Sequence, residues 1–194
     1  ARKGNHIITC NIEHKAVLDT CKHIEKEGGD VTYLKVKDNG LINLAELEAA
    51  MKPDTILISI MYANNEIGTI MPMKEVGELA KKKGILVFSD ATQAVGKIPI
   101  DVNKIGIDLM AFTAHKMYGP KGVGALWIRR GTRLAPVQTG GRQERNRRAG
   151  TENVPGIAGL GVAAELAMRS LESEGLRLAL LRDRLEESVL AVVP

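Results

Sequence analysis

Two short apolar runs constrain this chain more than any other feature. Ile85-Leu86-Val87-Phe88 stops abruptly at Ser89-Asp90, and Leu109-Met110-Ala111-Phe112 ends in the polar cluster Thr113-Ala114-His115-Lys116. Short apolar runs bounded by turn signals predict strands buried on both faces, the mark of a parallel sheet. Further strands are expected over 6–10, 31–36, 55–61 and 124–129. Helices are expected over 13–26, 44–51, 72–84 and 154–169, with a separate amphipathic helix carrying Leu178, Leu181, Leu185 and Val189. Strands alternating with helices predict an α/β fold, a mostly parallel sheet sandwiched by helices.

In such sheets, ligands bind just past the carboxyl ends of the strands. Asp90 and Lys116 occupy two such ends. A lysine that forms a Schiff base and an aspartate that keeps a pyridine nitrogen protonated are what pyridoxal 5'-phosphate (PLP) asks of its protein. Partial burial of Lys116 is expected to favour the neutral amine that attacks an aldehyde. Either residue alone reads as a helix-capping acid or a surface amine. The constellation with Gln93, Thr113 and His115 points to the cofactor.

Composition narrows the partners. The chain has 194 residues, enough for one sizeable domain, and its 44% hydrophobic and 26% charged residues are ordinary for a soluble globular protein. A net charge of +4 is too small to argue for nucleic acid. Seven arginines fall between Arg129 and Arg148, but of the aromatics that would stack on bases only Trp127 is near, so they read as a solvated, dimer-facing loop. No nucleotide-binding glycine fingerprint occurs; Gly119, Gly122 and Gly124 precede a strand and read as a turn near Lys116. Cys10 and Cys21 have no paired spacing, which suits a reducing compartment. No apolar run approaches the roughly 20 residues of a membrane span, and the basic start Ala1-Arg2-Lys3-Gly4 is not a secretory leader. His6, Cys10 and His14 lie four apart, but on a strand that interval is too long for one ion, so no metal site is expected.

The segment SDATQAVGKIPIDV followed by AFTAHKMYGPKGVGALW resembles the PLP-binding core of cysteine desulfurases, in the class V aminotransferase group of fold-type-I enzymes. The resemblance covers residues 5–167. It implies that residues 1–152 form the PLP-binding large domain, incomplete at its start, and that 153–194 lead into a smaller domain. It also implies that both ends are cut and that the chain is an internal piece. By this resemblance Lys116 is the Schiff-base lysine. His14, in EHKAVL, stacks on the cofactor ring and moves protons. Asn65 and Gln93 contact the phenolic oxygen or the substrate, and Asp90 pairs with the pyridine nitrogen. Thr113 and His115 hold the phosphate, as does Thr151 across a homodimer.

The implied activity is conversion of L-cysteine to L-alanine, with sulfur passed to an acceptor protein such as an iron–sulfur scaffold, or to thio-cofactor assembly. The implied location is the cytoplasm or an organelle matrix. The family's nucleophilic cysteine and carboxylate-binding arginine fall beyond Pro194, so the chain alone is expected to turn over little or not at all. A selenocysteine lyase, another class V enzyme, or a non-catalytic interaction domain are the alternatives.

Overall fold

The computed structural model describes residues 4–193; the basic start at 1–3 and Pro194 lie outside them. Six strands form one sheet: β1 (His6–Cys10), β2 (Asp30–Leu34), β3 (Thr55–Ser59), β4 (Leu86–Asp90), β5 (Leu109–Thr113) and β6 (Gly124–Ile128). Their order is β2-β1-β3-β4-β5-β6. The first five run parallel, and β6 pairs antiparallel with β5. A parallel crossover needs a dozen or more residues. The ten residues between Thr113 and Gly124 are too few, so the chain turns back on itself.

The helices are α1 (Lys15–Lys26), α2 (Leu44–Ala50), α3 (Met73–Lys83), the single turns α4 (Val102–Ile105) and α5 (Gln143–Asn146), and α6 (Val154–Leu190). Helix α3 buries Met73, Val76, Gly77 and Ala80 at helical spacing and ends at Gly84, whose φ of +66° closes the last turn. Gly77 is needed for contact: a Cβ there would lie 2.2 Å from the Ile105 carbonyl oxygen. The core joins Ile8 of β1, Ile58 of β3 and Val87 of β4 to Leu47 and Val76 from the helices, all inaccessible to solvent.

The expected break after residue 169 does not occur. Helix α6 continues for 37 residues. Beyond residue 169 Gly175 is the one glycine among helix-forming Leu, Glu, Arg and Ala, and it costs about 1 kcal/mol relative to alanine, too little to stop a long helix. Its first half packs on the turn after β5. A Cβ at Gly159 would meet Pro120 Cγ at 2.5 Å, and one at Gly119 would meet Ala163 Cβ at 2.9 Å. By length and composition alone α6 could cross a membrane, one 18-residue window of it reaching a mean hydropathy of 1.2. That apolar first half carries Glu165 and Arg169 and rests on the Gly119-Pro120 turn through Gly159 and Ala163.

Candidate active site

Strand order 2-1-3-4-5 reverses direction at β1, and such reversals open a crevice at the carboxyl ends of the strands. The cavity lies there, with a volume of about 390 Å³, within the range of small-molecule sites. His14 enters it after β1. Met61, Ala63 and Asn65 follow β3, Asp90, Thr92 and Gln93 come from the end of β4, and His115 and Lys116 from the 3-10 turn (Ala114–Met117) after β5. Asp90 pairs in register with Ala111 of the adjacent strand. The acid and the amine thus open onto one space.

Local bonds set the state of each group. His14 is the N-cap of α1, and its Nδ1 accepts the Ala16 N–H at 3.2 Å. The neutral ring therefore carries its proton on Nε2. Asp90 Oδ1 accepts the Thr92 N–H at 2.9 Å, while Oδ2 has no hydrogen-bond partner among the described residues. Lys116 makes neither hydrogen bond nor ion pair among the described residues. It is exposed rather than partly buried as the sequence led us to expect, because the cavity is open on its side.

Thr113 stands behind His115 rather than on the cavity wall. Its hydroxyl donates to the Val123 carbonyl at 3.2 Å and lies 2.9 Å from His115 Nδ1. A hydroxyl has one proton to give, so Nδ1–H of His115 donates to Thr113 and Nε2 is left for a ligand. Thr151 lies apart from this cavity, exposed ahead of α6, where Asn153 is the N-cap. The spaced His6, Cys10 and His14 have separate fates. Both ring nitrogens of His6 meet the hydroxyls of Thr55 and Thr32, and the Cys10 thiol donates to Glu13.

Over residues 1–187 the chain matches the family described as Aminotransferase class-V. It belongs to that family. It is similar to the cysteine desulfurase IscS of Methanosarcina thermophila, 56% identical over 190 residues that take in 98% of this chain and 47% of that protein. A solved NifS-like protein superposes with a TM-score of 0.95 at 45% identity, covering 99% of this chain and 53% of that one. The structure described as SspA in complex with cysteine gives 0.81 at 46% identity, covering 85% of this chain and 48% of that one. The chain spans about half the length of the relatives it matches.

Class-V aminotransferases are PLP-dependent, and the donor set of this class-V chain suits that cofactor. An unengaged amine, a carboxylate with one open oxygen, two amides and two imidazoles line one cavity.

Two residues of this class-V site escaped the sequence reading. Glu13, only 5% exposed, accepts the Met61 N–H at 2.6 Å and the Cys10 thiol at 3.1 Å, tying the turn before His14 to the β3 wall. Burial pushes its carboxyl up to about 7, against the hydrogen bonds from Met61 and Cys10 and with help from the Asp90 charge. Asn64 is the asparagine that holds the loop. It accepts from Glu66 and Ile67 N–H and donates to the Ile12 carbonyl, leaving Asn65 on the cavity. An adjacent pair of asparagines was the only signal, and it does not say which one is buried.

Proposed function

We propose that this class-V aminotransferase acts as a PLP-dependent cysteine desulfurase, converting L-cysteine to L-alanine and delivering sulfane sulfur to iron–sulfur cluster or thio-cofactor assembly. The observation that carries the reading is the unengaged Lys116 amine and the open Asp90 Oδ2 on one cavity, in a chain 56% identical to a cysteine desulfurase. When bound, the cofactor supplies an electron sink for charge developing at the substrate Cα.

The chain's own residues do the rest. Lys116 gives its amine to hold the cofactor and afterwards takes the Cα proton. The Asp90 carboxylate keeps the proton on the pyridine nitrogen by its charge. Gln93 and Asn65 orient the ring, His115 braced by Thr113 meets the phosphate, and His14 moves a proton through Nε2. Thr151, away from its own cavity, is assigned to the phosphate of a second copy in a homodimer.

A sulfur acceptor must be an accessible thiolate. Cys10 is fully buried, with burial raising its thiol pKa, and Cys21 is 4% exposed. Neither serves, so the reading takes its nucleophile from outside residues 4–193. It treats 1–152 as the cofactor-binding domain and 153–194 as the lead into a smaller one. It also places the protein in the cytoplasm or an organelle matrix, where unpaired cysteines stay reduced.

The test adds substrate to the PLP-loaded chain. L-cysteine is expected to change the visible absorbance band saturably with little or no alanine formed, since neither buried thiol can take the sulfur. A change with L-selenocysteine alone would make the protein a lyase of that substrate. No change with either would leave a cofactor-binding interaction domain.

A further inference from the structure

Behind the cavity runs a larger groove of about 740 Å³, bounded by the Gly96-Lys97 turn, the Met117–Pro120 stretch and α6. Lys116 lines both spaces and so forms part of the wall between them. Lys97 lies on the groove side only, and Gln93 on the cavity side only. Between the two, the exposed Lys97 ammonium donates to Gln93 Oε1 at 2.6 Å.

That bond decides which way the amide faces. An ammonium has donors and no acceptor, so it takes the oxygen of the amide and never the NH2 group. With its oxygen drawn toward the groove, Gln93 has only its NH2 edge to offer the cavity. An unbraced glutamine could present either edge.

Resting on the PLP reading above, we infer that Lys97 is a positioning residue for Gln93: it captures the amide oxygen from the groove and presents the NH2 donors to an anionic oxygen of the bound pyridine cofactor. The same placement sets a second positive charge beside the Lys116 amine. Burial, followed by the Lys116 charge, holds the Lys97 amine below the usual lysine range, as expected of two cations sharing one wall. The other charged groups are Glu174 with its partner Arg177 on α6, on the groove side, and Asp90, His14 and His115 on the cavity side.

Two measurements test this. In the cofactor-free protein, the Lys97 amine, followed by NMR of labelled lysines, is expected to titrate at higher pH in Lys116→Ala than in the wild type. In PLP titrations read by the visible band, Lys97→Met is expected to weaken binding about tenfold, the worth of one charge-assisted hydrogen bond. It should also raise the pH midpoint of that band, because a neighbouring positive charge is gone. Lys97→Arg, which keeps a cationic donor, is expected to recover most of the affinity. In a Gln93→Ala background, Lys97→Met should cost no further affinity, since the lysine acts through the amide.

Wild-type affinity and midpoint in Lys97→Met, or additive losses in the double variant, would overturn the inference. A wild-type chain that shows the lysine coupling but no band at any PLP concentration would contradict the cofactor reading itself, and the role given to Lys97 with it.

Discussion

Asp90 and Lys116 open onto one cavity because β4 and β5 are adjacent parallel strands, with Asp90 opposite Ala111 and Lys116 one tight turn past the end of β5. The carboxylate and the amine thus line one cavity of about 390 Å³. It depends on the strands being buried and in register. Shifting either by one residue would turn its terminal side chain to the opposite face.

Register is secured by the core beneath the site. Ile58 of β3 is fully buried between its neighbours. Ile58→Ala should lower unfolding free energy by roughly 2–5 kcal/mol through lost burial and a residual cavity. Chemical denaturation checks this, and a loss within experimental error of zero would mean that β3 is not in the core.

His14 both caps a helix and faces the cavity, and two variants separate those roles. His14→Ala removes the acceptor for the Ala16 N–H and should cost about 1 kcal/mol of stability, whereas His14→Asn retains a capping side chain and should not. Both should slow the L-cysteine-dependent change in the absorbance band about a hundredfold, the usual weight of a positioned acid–base group. Thermal melts and stopped-flow absorbance report the two effects independently.

Thr113 acts through His115. Thr113→Val removes the hydroxyl that accepts from His115 Nδ1 and donates to Val123. PLP affinity should fall about tenfold. Affinity for pyridoxal, which lacks the phosphate, should be unchanged. Equal losses for both ligands would remove His115 from the phosphate site.

Glu13 gives stability an unusual pH dependence. Its carboxyl pKa rises from 4.5 to about 7 on folding, so between those values the folded chain holds a proton that the unfolded chain has released. Its contribution is complete below the unfolded value and is lost as pH climbs through the folded one, the reverse of a salt-bridged carboxylate. Glu13→Gln should therefore flatten the decline in stability between about pH 4.5 and pH 7. Denaturation midpoints measured across that interval would show it.

The strands and the cavity residues from their ends were legible because both are local signals. An apolar run that halts at a polar cluster is visible in a few residues, and His14, Asn65, Asp90, Gln93, His115 and Lys116 all follow such halts. What escaped depends on contacts between distant segments. Nothing around Glu13 in the chain says that Met61, 48 positions later, will lie over its carboxylate. Lys97 escaped for another reason: its bond to Gln93 is local, but an exposed lysine four residues from a glutamine carries no signal of its own. The unbroken α6 was missed for a different reason: weak breakers stop a short helix but not one already held by packing at its first half.

The central claim is that Lys116 holds a pyridine aldehyde with Asp90 at its far side. Absorbance of the purified chain titrated with PLP measures this directly. The wild type should develop a saturable visible band that Lys116→Ala abolishes and that Asp90→Asn weakens. No band in the wild type at any PLP concentration, or a band of equal strength in Lys116→Ala, would contradict the account.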